Sequence, residues 1–185
     1  TPDRWDDLVA FFGPSGAYSG CWCTWWRQTG SQFSAGCRDG AAGNRDLLRR
    51  LTTEGRAPGL MAYDGERPVG WVSVAPRPEF GRLLRSSALR PEPGDDPADG
   101  SVWSVVCFWV PRAHRRRGVA TALLDSAVAH AWAGGARVVE GYPVPVDDRA
   151  PAAEIFTGTL AMFDRAGFRP IGGRAGSRLK VQLVR

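Results

Sequence analysis

The sequence predicts an α/β fold, a central mixed and twisted β-sheet flanked by helices, in one domain spanning residues 1–185. Three observations predict it. At 185 residues the chain is long enough to bury one sizeable core. Two apolar runs, residues 59–63 and 68–74, flank the turn Asp64-Gly65-Glu66 and read as a β-hairpin. Residues 102–124, VWSVVCFWVPRAHRRRGVATALL, read as a buried strand, a Pro-marked turn, an Arg/Gly loop and an amphipathic helix.

Residues 3–12 place Trp5, Leu8, Val9 and Phe12 on one helical face, and Gly13-Pro14 break that helix. Residues 19–28 hold Trp22, Trp25 and Trp26, a density that serves either as a core staple or as a pocket wall. Residues 44–53 (NRDLLRRLTT) read as a second helix, and the hairpin follows. Residues 76–100, with Pro76, Pro78, Pro91, Pro93 and Pro97, read as a long surface loop with a helical turn at 80–84. Such a loop is either the border of a binding site or a plain insertion.

The strand after this loop alternates Val102, Ser104, Val106, Phe108 and Val110 with Trp103, Val105, Cys107 and Trp109. Both faces are mostly apolar, the pattern of a central strand. Ala120, Leu123, Leu124, Ala127, Val128 and Ala131 then recur at helical spacing until Gly134-Gly135. Residues 136–142 read as the next strand, parallel to the previous one through a right-handed crossover. Residues 154–166 read as a helix closed by Gly167, and residues 178–184 as a closing strand.

The net charge of +5 suits an anionic cofactor and would suit nucleic acid too. Lys180 is the single lysine, so the basicity reflects an arginine bias and nucleic acid is disfavoured as a partner. No apolar run approaches the ~18 residues of a membrane span, and no secretory pattern opens the chain. The expectation is a cytoplasmic protein without membrane contact. Cys21, Cys23, Cys37 and Cys107 are expected as free thiols. A metal site on Cys21, Cys23 and Cys37 is not expected, because the spacing is not that of a zinc knuckle and no His lies nearby.

The spacing Arg115-x-x-Gly118-x-Ala120 puts small residues where the backbone must turn tightly and approach a ligand. Successive N–H groups at the following helix start would then face an anion. Arg115, Arg116 and Arg117 alone would be a solvated basic turn, but Gly118, Ala120 and the flanking elements favour a cofactor loop.

This loop resembles the pyrophosphate loop of the GNAT N-acetyltransferase family: Arg or Gln, two residues, Gly, one residue, then Gly or Ala. Residues 160–168, LAMFDRAGF, resemble a second family signature, a helix ending in aromatic, acidic, basic, any residue, Gly, Phe. The hairpin ahead of the cofactor strand also stands in the family's order. The resemblance implies the GNAT fold, with splayed parallel strands holding acetyl-CoA as cosubstrate. It implies direct acetyl transfer to a primary amine, expected here on a small molecule.

By the same resemblance, Phe108, Trp109 and Val110 would pair with pantetheine, and Arg115, Arg116, Arg117, Gly118, Val119, Ala120 and Thr121 would hold the pyrophosphate. A backbone N–H near Trp109 or Val110 would face the oxyanion. Glu140 is the candidate base, or else an ordinary strand-end carboxylate paired with Arg, and Tyr142 shares its face. Phe163 stands where many members carry a tyrosine that protonates the leaving thiolate. Tyr142 or a water would substitute, or the thiolate leaves unassisted. Trp22, Trp25 and Trp26 would wall an acceptor pocket suited to apolar rings or cationic amines, or anchor the first helix to the core. Cys107 reads as a small core residue rather than an acyl carrier, and His114 as a turn residue. A non-catalytic acyl-CoA sensor, an enzyme acting on protein or tRNA-linked amines, and a homodimer all stay open.

Overall fold

A computed structural model of the chain describes residues 1–145, 155–173 and 178–185. Six strands form one mixed sheet: β1 (Gly59–Asp64), β2 (Arg67–Pro76), β3 (Val102–Trp109), β4 (Val138–Gly141), β5 (Arg169–Gly173) and β6 (Leu179–Val184), in the order β1-β2-β3-β4-β6-β5. Only β3 and β4 run parallel among these pairs; the other neighbours are antiparallel. The hairpin and the buried central strand fall where their sequence patterns put them.

Among the described residues six α-helices accompany the sheet: α1 (Trp5–Phe12), α2 (Gly30–Gly36), α3 (Arg38–Thr53), α4 (Gly81–Leu84), α5 (Val119–Ala133) and α6 (Leu160–Arg165). Helix α5 lies on one face with Leu123, Leu124, Ala127 and Ala131 buried against Val72, Val74, Trp103 and Phe108. On the other face, Trp5, Leu8 and Phe12 of α1 pack with Trp22, Trp26, Leu48 and Trp71.

The strict alternation expected along β3 is broken. Register with β2 pairs Val74 with Val105 and Ser73 with Cys107, which leaves Val106 as an extra, bulged residue. The phase of the side chains therefore flips. Trp103, Val105, Phe108 and Val110 join the α5 core, whereas Val106, Cys107 and Trp109 face the α1 side. The bulge sits one residue beyond the last β3–β4 pair, Val105 with Gly141, so the two parallel strands have parted by the time β3 reaches Trp109.

Two helices differ from expectation. Helix α2 was not anticipated, although Thr29-x-x-Gln32 forms a capping box with reciprocal hydrogen bonds. The helix expected over 154–166 is confined to α6; its first residue, Glu154, lies outside the described residues. Thr159 is extended and bridges Val144, and Gly158 has φ +91°, so no helix can run through them. Helix α3 is longer than the expected 44–53, with Asp39, Gly40 and Ala41 in left-handed conformation interrupting its start.

The loop 76–100 contains α4 and is pinned to the sheet by two buried cations. Arg77 pairs with Glu140 on β4, and Lys180 on β6 donates to the Arg90 carbonyl at 3.0 Å and pairs with Glu92 at 2.6 Å. Among the described residues no helix is long and apolar enough to cross a membrane.

Candidate functional site

Beyond the last β3–β4 pair, a cleft of about 1140 Å³ opens beside the end of β3 and residues 155–162. Its lining includes Phe108, Val110, Val119 and Met162 from the α5 core and Cys23, Cys107, Trp109 and Phe156 from the α1 side. Residues of both cores thus line it.

At one end, the loop after β3 leads into α5. Arg115 Nε donates to the Val110 carbonyl at 2.8 Å, tying the loop to the strand end. Gly118 is the N-cap of α5 with φ +80°, a left-handed conformation that a residue with a Cβ rarely adopts, and no side chain caps the helix. The first-turn N–H groups lack an intrahelical acceptor by helix geometry, so an anion is their natural partner. Arg115, Arg116, Gly118, Val119, Ala120 and Thr121 all line the cleft. Arg117 does not.

Of the strand residues expected to pair with an extended ligand, Phe108, Trp109 and Val110 line the cleft. The Phe108 N–H, however, already donates to the Phe156 carbonyl at 2.6 Å, so the chain itself occupies this edge position.

Glu140 and Tyr142 come together but do not line the cleft. Glu140 is 3% exposed; Arg77 Nη1 donates to its Oε1 at 3.0 Å and the Tyr142 hydroxyl to its Oε2 at 2.7 Å. That phenol has one proton and spends it on Glu140, so in the 2.9 Å contact with Ser104 the serine is the donor. Burial and the adjacent carboxylate hold the Tyr142 phenol well above its ordinary pKa. Glu140 therefore takes the form of its alternative reading, a strand carboxylate paired with an arginine, and it stands outside the cleft lining. Tyr142 is likewise no donor to a leaving group, being fully enclosed.

Phe163 is buried against Phe108 and Phe168, and a Cβ at Gly141 would overlap its ring. It does not line the cleft.

The three tryptophans separate. Trp22 is a core staple, stacked on Trp5 and edge-on to Phe12, and does not reach the cleft. Trp25 lines the cleft, while Trp26 lines an adjoining hollow. One face of Trp25 is already taken by a cation, the Arg82 guanidinium, 3.6 Å from its ring centroid.

Cysteines supply what the sequence reading passed over. Cys21, Cys23 and Cys107 all line the cleft, with Cys23 Sγ 3.5 Å from Cys107 Sγ. All four cysteines are free thiols. The Cys23 thiol beside Cys21 lowers the Cys21 pKa to about 6, whereas contact with the Cys107 and Cys21 thiols, together with burial, raises Cys23 well above its ordinary value. Spacing alone could not have shown this, since Cys107 reaches the pair from 84 residues away. Among the described residues no group of three or more His, Cys, Asp and Glu is placed to hold a metal ion.

The acetyltransferase (GNAT) family model matches residues 22–156. No curated protein matches the chain. Solved structures share the fold. The GNAT domain of a Streptomyces lividans protein named PAT aligns at TM-score 0.56 and 18% identity, covering 99% of this chain and 86% of that one. A ribosomal-protein-alanine N-acetyltransferase of Brucella melitensis aligns at 0.53 and 16%, covering 100% and 96%. The PaiA N-acetyltransferase of Thermoplasma acidophilum, solved with coenzyme A, aligns at 0.52 and 10%, covering 100% and 95%.

Proposed function

The chain belongs to the acetyltransferase (GNAT) family, and from that premise we propose that it is an acetyl-CoA-dependent N-acetyltransferase whose acceptor is the primary amine of a small molecule. The observation that carries the reading is the uncapped start of α5 at Gly118, opening onto the cleft beside the end of β3. Acetyl-CoA supplies the acetyl group as a thioester.

The N–H groups from Val119 to Thr121, with Arg115 and Arg116, hold the pyrophosphate. Trp109 and Val110 offer backbone groups to the pantetheine arm, and full pairing along β3 replaces the bond from Phe108 to the Phe156 carbonyl. Because N–H directions alternate along a strand, the Val110 N–H is aimed to the same side as that of Phe108. It is the donor for the carbonyl oxygen as negative charge develops there.

An acceptor ammonium must lose a proton before it attacks. With Glu140 committed to Arg77, we assign that proton to Cys21, which lines the cleft and is ionised near neutrality. The departing thiolate needs no acid from Phe163 or Tyr142, since a thiol pKa of ~8.5 makes it an adequate leaving group. The acceptor reaches the cleft from the Trp25 side, where the adjoining hollow of about 520 Å³ has room for a small molecule.

Titration calorimetry with acetyl-CoA, followed by thiol release with a panel of small amines, tests the reading. Micromolar or tighter binding and amine-dependent turnover are expected. Binding with no turnover on any amine would assign the chain to the sensor class instead, and turnover confined to protein or tRNA-linked amines would overturn the small-molecule acceptor.

A further inference from the structure

Beside the cleft lies a second hollow of about 520 Å³, which shares Trp25 and Arg178 with it. Its charge is one-sided. Arg82, Arg85 and Arg178 line it, and among the described residues no Asp or Glu does. Elsewhere buried arginines are neutralised: Arg27 pairs with Glu79 and Arg77 with Glu140. Among the described residues none of the three lining arginines forms an ion pair.

Two of these guanidiniums, those of Arg82 and Arg178, are also held in place. Arg82 lies over the Trp25 ring while its Nε donates to the Trp25 carbonyl at 2.7 Å. Arg178 lies 4.8 Å from the Phe156 ring centroid, and its Nε donates to Thr157 Oγ1 at 3.1 Å. Stacking fixes the planar forks without neutralising them. Two buried donors have no acceptor among the described residues, Arg82 Nη2 and the Trp26 indole N–H, and both residues line this hollow. A buried donor without an acceptor carries a desolvation cost that an incoming oxyanion would remove. Burial and the neighbouring Arg85 both disfavour the charged form of Arg82, so an anion here also relieves repulsion between the two cations.

We propose that the acceptor carries an oxyanion, a carboxylate or a phosphate, which docks against Arg82, Arg85 and Arg178 while its amine extends into the cleft. This deepens, and rests on, the acetyltransferase reading. It differs from the expectation of apolar rings or cationic amines at the tryptophans, since Arg82 covers one face of Trp25.

The test compares matched acceptors with and without the anion: phenylalanine against phenethylamine for a carboxylate, and O-phosphoethanolamine against ethanolamine for a phosphate. The wild-type kcat/KM is expected to favour at least one anionic member by about tenfold or more, the worth of a charge-assisted hydrogen bond. In Arg82→Gln and in Arg85→Gln that ratio should collapse toward one; two variants guard against either failing to fold. A wild-type ratio near one for both pairs, or a ratio untouched by both substitutions, overturns the proposal.

Equilibrium binding separates this failure from failure of the transferase reading. N-Acetylphenylalanine should bind the CoA-loaded protein more tightly than N-acetylphenethylamine, and Arg82→Gln should erase the difference. That preference without turnover upholds the anion site and sinks the enzyme assignment. Turnover with no preference for the anionic member of either pair does the reverse.

Discussion

The two walls of the cleft are built in opposite ways. The cofactor wall is nearly one continuous stretch, β3 through α5, in which Phe108, Val110 and the loop from Arg115 to Thr121 succeed one another within 14 residues. The acceptor wall is assembled from separate segments: Ala17 to Phe33, the region of Arg82, Phe156 and Arg178. Its first segment is also conformationally costly, with Ala17, Ser19, Trp22 and Cys23 all at positive φ, and Trp22 clamped between Trp5 and Phe12. A wall made of consecutive residues can be read as a motif. A wall made of distant ones cannot.

The comparison also separates residues that touch ligand from residues that merely hold the walls together, and four substitutions sharpen it. The largest effect should come from Glu140→Gln, which breaks the buried pair with Arg77 and costs ~3 kcal/mol or more of stability, measured by denaturant unfolding. The pH–rate profile should keep its shape in that variant. A lost ionisation there would restore Glu140 as the base. Gly118→Asp comes next, with acetyl-CoA affinity falling ~100-fold or about 2.7 kcal/mol by calorimetry. Its fold should persist, since nothing lies within 4 Å of a Cβ at this position and only the positive φ is strained.

Cys21→Ser should lower kcat roughly tenfold and remove a limb from the profile near pH 6. The sign follows from the thiolate being the active form: activity and alkylation by iodoacetamide both rise as pH passes upward through about 6. An alkylation midpoint near pH 8.5, the value of an ordinary thiol, would remove Cys21 from the mechanism. Arg117→Ala should be the mildest, within ~0.5 kcal/mol in both stability and cofactor binding, because Arg117 does not line the cleft. A loss equal to that of Arg116→Ala would put all three arginines on the pyrophosphate.

Much of the fold was legible because its signals are local. The period of Leu123, Leu124, Ala127 and Ala131 reports the buried face of α5, and Asp64-Gly65 reports the hairpin. Helix α2 was legible too, through Thr29 and Gln32, but was missed among the glycines and serines around it. The bulge at Val106 was hidden: in a strand apolar on both faces, a phase flip leaves no trace in hydrophobicity. Of the proposed site, the part with a pattern in the sequence is the loop from Arg115 to Thr121, most of which lines the cleft. Glu140 looked like a base because its partner, Arg77, lies 63 positions away in a loop with no pattern of its own.

The sequence by itself determined the sheet's central strand, the helix that follows it and the Gly118 loop between them, because strand period, helix period and left-handed turn are properties of neighbouring residues. Only the tertiary structure decided that Glu140 is neutralised, that Cys21, Cys23 and Cys107 share the cleft, and that Arg82 covers Trp25. Those outcomes turn on which distant charges and thiols are brought within a few ångströms of one another, and local periodicity carries no information about that distance.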